Sequence, residues 1–235
     1  MKDLNCWKTK FEPCCYSDRL VTKLLLLNET REHKVDILEI EKAIYYAKKY
    51  HDSQMRQSGE PYYSHPLEVA YNVAEHVFET NILVTSILHD TIEDTDLTKE
   101  MISDIFCSVI AEQVEALTRV KIDRKISSAE TVDLLWIQRK ENLLLIKYFD
   151  RLHNLQTINV KSPEKISKII AETLEQFISL EIYFKSTIPN LFNADDDIMA
   201  LCYQQFPIKQ QCWSQDLMEY CDDYLQLPFP VFQNG

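Results

Sequence analysis

From Asp36 onward, apolar positions recur at intervals of three and four. Ile37, Ile40, Ile44, Ala47 and His51 form one stripe with Asp36 placed to cap it, which predicts an amphipathic helix. Gln57-Ser58-Gly59-Glu60-Pro61 breaks that pattern and holds the only internal glycine. A second helix is predicted to open at Pro66, an early position that tolerates proline, with Ala70, Val73, Ala74 and Val77 as its stripe. A third, starting at Thr80 or Asn81, is apolar through Ile82, Leu83, Ile87 and Leu88. The stretch 91–96 is acidic and turn-like. Thr98 reads as the cap of a helix over 98–107, and another follows to Leu117.

Residues 119–128 form a basic, polar connection. Helical spacing returns over 129–138 and strongly over 142–158. Ser162-Pro163 then opens a helix of about 24 residues that Pro189 ends. Residues 1–34 lack sustained periodicity and read as an arm or an initial short helix. Residues 190–235 are acidic and aromatic, with one or two short helices and rings that suit packing on the domain or on a second copy. The sum is eight or more helices and no strand, hence an all-α fold.

Composition narrows this further. Two glycines occur in 235 residues, where average usage of about 7% gives roughly sixteen. Hairpin turns, Gly-rich phosphate loops and dinucleotide fingerprints need more than that. The balance of 25 basic against 37 acidic residues leaves a formal charge of −12, which repels nucleic-acid backbones and argues against nucleic acid as a partner. Seven cysteines, none in a C-x-x-C pair, read as reduced thiols. The longest apolar block, Leu24 to Leu27, falls far short of the ~20 residues that span a bilayer. No membrane association and a cytoplasmic location are the expectation.

Four clusters could carry chemistry. His89-Asp90 ends the apolar third helix, where both side chains can reach one ion off the helix end, or can cap carbonyls and face water. His65 is fixed by the following Pro66, as a ligand needs to be, although a surface histidine would look the same. Lys147, Asp150, Arg151 and Asn154 share one polar face, which also describes a solvated charge cluster. Two imidazoles and two carboxylates (His65, His89, Asp90, Asp150) suit Mn²⁺, Fe²⁺ or Zn²⁺ rather than an all-oxygen cage. Glu93-Asp94 lies one turn past His89-Asp90. It reads either as an acidic loop or as the acid–base pair that would hold a water above the ion.

Taken together, Arg56-x-Ser58-Gly59-Glu60-Pro61-Tyr62-x-x-His65-Pro66, Leu88-His89-Asp90-Thr91-x-Glu93-Asp94-Thr95 and Asp150-Arg151-Leu152-His153-Asn154 resemble the HD-domain hydrolases of the RelA/SpoT family. The likeness covers roughly 36–187 and is to the short, hydrolase-only type found as metazoan SpoT homologues. It implies an HD-domain helical bundle with one Mn²⁺ held by His65, His89, Asp90 and Asp150. The activity it implies is hydrolysis of the 3′-pyrophosphate of the alarmone ppGpp or pppGpp, giving GDP or GTP and pyrophosphate. On the same basis Glu93 and Asp94 position and activate the attacking water. Arg56 lies against the guanine and Asn154 meets the ribose, while Lys147 either sits near the phosphates or only pairs with the neighbours of Asp150.

Three departures are visible. Gln57 stands where the family has a lysine, Asp52-Ser53-Gln54 replaces a small-Gly-Gln run, and Tyr148-Phe149 replaces a smaller pair beside Asp150. The resulting partition is an arm at 1–35, a metal-dependent phosphohydrolase domain at 36–187, and a tail at 188–235 without synthetase motifs. Two alternatives stay open: an HD phosphohydrolase of another nucleotide, and a non-catalytic module that binds a nucleotide or a partner. Nothing in the pattern sets the oligomeric state.

Overall fold

The computed structural model describes residues 6–120, 124–187, 198, 201 and 202. Among them are ten α-helices: α1 (Cys15–Thr30), α2 (Ile37–His51), α3 (Ser64–Val73), α4 (Thr80–Leu88), α5 (Thr91–Asp94), α6 (Lys99–Ile105), α7 (Ser108–Leu117), α8 (Ser128–Ile137), α9 (Glu141–Gln156) and α10 (Pro163–Thr187). A 3₁₀ turn at Ile158–Val160 follows α9. Among the described residues, β pairing is limited to two isolated bridges, Met55 with Pro61 and Val120 with Lys125. The all-α expectation holds. None of the helices is long and apolar enough to cross a membrane.

The chain divides into two compact units, residues 1–163 and 164–235. In the first, α4 is the central helix. Every residue from Ile82 to Leu88 is buried, and α2, α3, α7 and α9 all pack against it. A helix apolar on all sides belongs in the middle of a core, and its polar end must then emerge among its neighbours. Around it, α2 contributes Ile40, Ile44 and Ala47, α3 Leu67, Ala70 and Val73, and α9 Leu144, Leu145, Tyr148 and Phe149. Each large apolar side chain buried in this way contributes about 1.5–3 kcal/mol. In the second unit α10 buries Ile170, Phe177, Leu180 and Phe184 along one stripe.

Several termini follow from the sequence. The Asp36 carboxylate accepts from the Leu38 and Glu39 amides, and the Thr98 hydroxyl accepts from the Met101 amide. Two expectations shift. Helix α3 starts at Ser64, two residues before Pro66. Proline is still tolerated there, because amides in the first turn have no carbonyl four residues back. The segment read as an arm or short helix contains the 16-residue α1, which buries Leu20 and Leu24 and packs on α2 and α3. Pro189 and the expected helices and ring packing of the tail lie outside the described residues.

Candidate active site

The core delivers four side chains to one place. His65 stands in the first turn of α3, His89 closes α4, Asp90 follows it, and Asp150 sits on α9. One donor atom each from His65, His89 and Asp150 lies within 4.8 Å of the others. Asp90 borders the trio, with Oδ1 3.2 Å from His89 Nε2 and Oδ2 3.7 Å from His65 Nε2. Both imidazoles are 2% exposed. Burial pushes the His65 pKa down, with Asp150 and Asp90 opposing, so the ring is biased towards the neutral form that ligates a cation.

Hydrogen bonding sets which nitrogens face inward. His89 Nδ1 donates to the Ser86 carbonyl at 2.8 Å, while its Nε2 is buried without a hydrogen bond. A buried imidazole lone pair left open beside two carboxylates is what a divalent cation would satisfy, so these residues fit one. His65 Nδ1 meets His153 Nδ1 at 2.7 Å. Burial and the neighbouring His65 and Arg56 hold His153 neutral, with a pKa of about 3. With His65 donating to His153, His65 Nε2 is free to face Asp150 at 3.1 Å. Asp150 is itself gripped from its own helix, by Lys147 Nζ at 2.8 Å and by Asn154 Nδ2 at 2.7 Å. Burial opposes its ionisation, but the Lys147 charge holds its pKa well below the usual carboxylate range.

Arg56 and Asn154 come together as a pair. The loop after α2 turns at Gly59, whose φ of +90° is the left-handed region that glycine occupies without strain. Arg56 Nη2 then donates to Thr157 Oγ1 at 2.9 Å and lies 3.3 Å from Asn154 Oδ1. Asn154 thus links Arg56 to Asp150. Lys147 is 6% exposed and paired with Asp150.

The acidic pair lies on α5, at the open edge. Tyr62 Oη donates to Asp94 Oδ2 at 2.7 Å and lies 3.3 Å from Asp90 Oδ2, while its ring stacks on His51 at 4.6 Å. Burial, Asp90 and Glu93 push the Asp94 pKa up against the Tyr62 hydrogen bond. Glu93 is held by Arg119 and Lys125, and although burial opposes it, these cations lower its pKa to about 2. Arg119, Lys125, Tyr62 and His153 are the site's contributors that the sequence did not single out for a role. Tyr62 and His153 lie inside the quoted motifs, whereas Arg119 and Lys125 were only part of a basic connection.

The model of the HD domain matches residues 43–181. The chain belongs to the HD-domain family. Its His89-Asp90 pair is the one at the cluster described above, and the HD domain with this donor set makes the cluster a possible divalent-metal site. The chain is similar to a GTP pyrophosphokinase rsh of Brucella ovis, 37% identical over 163 residues, covering 66% of this chain and 22% of that protein. It is also similar to a guanosine-3′,5′-bis(diphosphate) 3′-pyrophosphohydrolase of Aquifex aeolicus, 40% identical over 145 residues, covering 60% of this chain and 21% of that one. The chain therefore spans about a fifth of the length of these curated relatives. A solved structure described as a metazoan ortholog of SpoT that hydrolyzes ppGpp is 22% identical, covers 71% of this chain and 94% of its own, and superposes with a TM-score of 0.49.

Proposed function

We propose that this HD domain is a metal-dependent 3′-pyrophosphohydrolase of ppGpp and pppGpp, with Mn²⁺ held by His65, His89, Asp90 and Asp150. The observation that carries the reading is the convergence of His65, His89 and Asp150 within 4.8 Å, reached from the buried α4 and from α3 and α9 beside it. The similarity to a pyrophosphohydrolase that acts on guanosine-3′,5′-bis(diphosphate) supplies the substrate class. A divalent ion on these donors would supply Lewis-acid polarisation of the phosphoryl group under attack.

The remaining work falls to the protein's own groups. Arg56, already turned towards Asn154, offers a flat cation to stack on the guanine, and Asn154 offers its amide to the ribose. Asp94 is exposed at the edge with a raised pKa, and this supports a role, with Glu93, in orienting the attacking water and accepting its proton. The water oxygen joins phosphorus and the bond from phosphorus to the ribose 3′-oxygen breaks. The leaving oxygen takes up a proton, giving GDP or GTP and pyrophosphate. Lys147 acts on the substrate only through Asp150, as its buried counter-charge.

The test is a parallel incubation of purified protein and Mn²⁺ with ppGpp, GTP, dGTP and cyclic nucleotides. Pyrophosphate release from ppGpp alone is expected. Turnover of a different nucleotide instead would assign the domain to another phosphohydrolase reaction. Turnover of none would leave a binding module.

A further inference from the structure

Glu93 is covered by two cations. Arg119 Nη2 reaches its Oε1 at 2.6 Å, and Arg119 Nε and the Arg119 backbone amide reach Oε2 at 3.2 and 3.3 Å. Lys125 Nζ lies 2.8 Å from Oε1. The Glu93 side chain is 8% exposed, whereas Arg119 and Lys125 are 41% and 59% exposed. The carboxylate therefore lies underneath and the positive charges face outward.

The charge inventory shows why this matters. The chain carries a formal −12, Gln57 brings no charge next to Arg56, and Lys147 is buried against Asp150. A substrate bearing two diphosphates must still be matched by positive charge near the reacting phosphorus. Among the described cations, Arg119 and Lys125 are both outward-facing and held to a carboxylate of the proposed acid–base pair. A guanidinium donates to a phosphate in the same paired geometry with which it donates to a carboxylate.

We propose that Arg119 and Lys125 form an anion-exchange clamp: in the free protein they hold Glu93, and a phosphate group of the substrate displaces that carboxylate and takes both cations. Calling the incoming anion a substrate phosphate rests on the hydrolase reading; the exchange itself rests on the geometry. Binding and activation become one event. While clamped, Glu93 is a poor proton acceptor. Once its cations have moved to phosphate, it is free to bond the attacking water. The clamp also keeps a buried carboxylate paired in the absence of ligand, as a low-dielectric site requires.

The test is a double-mutant cycle on binding rather than turnover, with inorganic pyrophosphate as the probe, titrated calorimetrically at fixed Mn²⁺. Arg119→Gln should weaken pyrophosphate binding roughly tenfold, the loss of one charge-assisted pair. Glu93→Gln removes the internal competitor and should tighten binding roughly tenfold. In an Arg119→Gln/Lys125→Gln background, Glu93→Gln should change nothing, because no clamp remains to be freed. Should that background not fold, Lys125→Gln alone serves, and the Glu93→Gln gain must shrink in it. A gain of the same size in both backgrounds would be a general charge effect and would overturn the clamp, as would no gain at all. A protein that hydrolyses no nucleotide yet shows the coupled cycle keeps the clamp and loses the hydrolase reading. One that hydrolyses ppGpp without the coupling does the reverse.

Discussion

The two sides of the site are held by different forces. His65 and His89 stand on α3 and at the end of α4, whose buried residues belong to the core, and the donor positions are fixed wherever that core is packed. Glu93 and Asp94 stand on a four-residue helix, too short to hold itself. Their partners are single polar side chains outside the helices, Tyr62 from the loop before α3 and Arg119 and Lys125 from the connection after α7. Packing contacts disappear only when the core opens. Ion pairs at a half-exposed edge can be replaced by a better anion without moving a helix. One side is built to stay in place and the other to respond.

This contrast is tested most severely by His89→Ala. Removing a donor from the packed side should abolish both metal retention and turnover, a loss at least as large as the ~10²–10⁴-fold effect of deleting an acid–base group. Elemental analysis after gel filtration, read beside pyrophosphate release, checks it. If the metal remains and turnover survives, the cluster is not the reaction centre.

Glu93→Ala should separate the two sides. The metal should remain, and turnover should fall by about 10²–10⁴-fold. Because its cations are then free for phosphate, KM should fall together with kcat instead of rising. Loss of the metal in this variant would show that the two sides are one mechanical unit.

How far the sequence could be read follows the same division. Asp36 and Thr98 act as caps as expected, because a cap involves residues within one turn. The cluster of His65, His89 and Asp150 was legible because each residue sits in a short motif, His65 and His89 at helix ends and Asp150 on the polar face of α9. The Glu93 clamp was not legible. Arg119 lies 26 residues further along, across α6 and α7, and no local spacing links it to Glu93. The burial of Lys147 was not legible for a related reason: a lysine three residues before an aspartate looks the same on a wet face as on a buried one, and only the packing of α9 shows that it is 6% exposed. Helix α1 hid its periodicity because Leu24 is buried while Leu25 and Leu26, beside it, are 50% and 59% exposed.

The smallest expected effect concerns acid stability and isolates the clamp without any substrate. The Glu93 pKa is about 2 in the folded chain against its ordinary 4.5, and Arg119 and Lys125 are the cause. A carboxylate whose folded pKa is depressed adds stability above its unfolded pKa and loses it as pH falls through the folded one. The Glu93 pair therefore contributes in full above pH 4.5, and its contribution drains away between 4.5 and about 2. Glu93→Gln has no such proton to bind. The difference in urea midpoint between the parent and Glu93→Gln should then be flat from pH 7 to 5 and narrow below 4.5, while the other acids shift both proteins alike. Because Arg119 and Lys125 are about half exposed, salt screens them, and the difference should also shrink at high ionic strength. A gap that ignores both pH and salt would mean that Glu93 is held by packing, as His65 and His89 are, and the edge would then have no exchangeable contact to offer a polyanion.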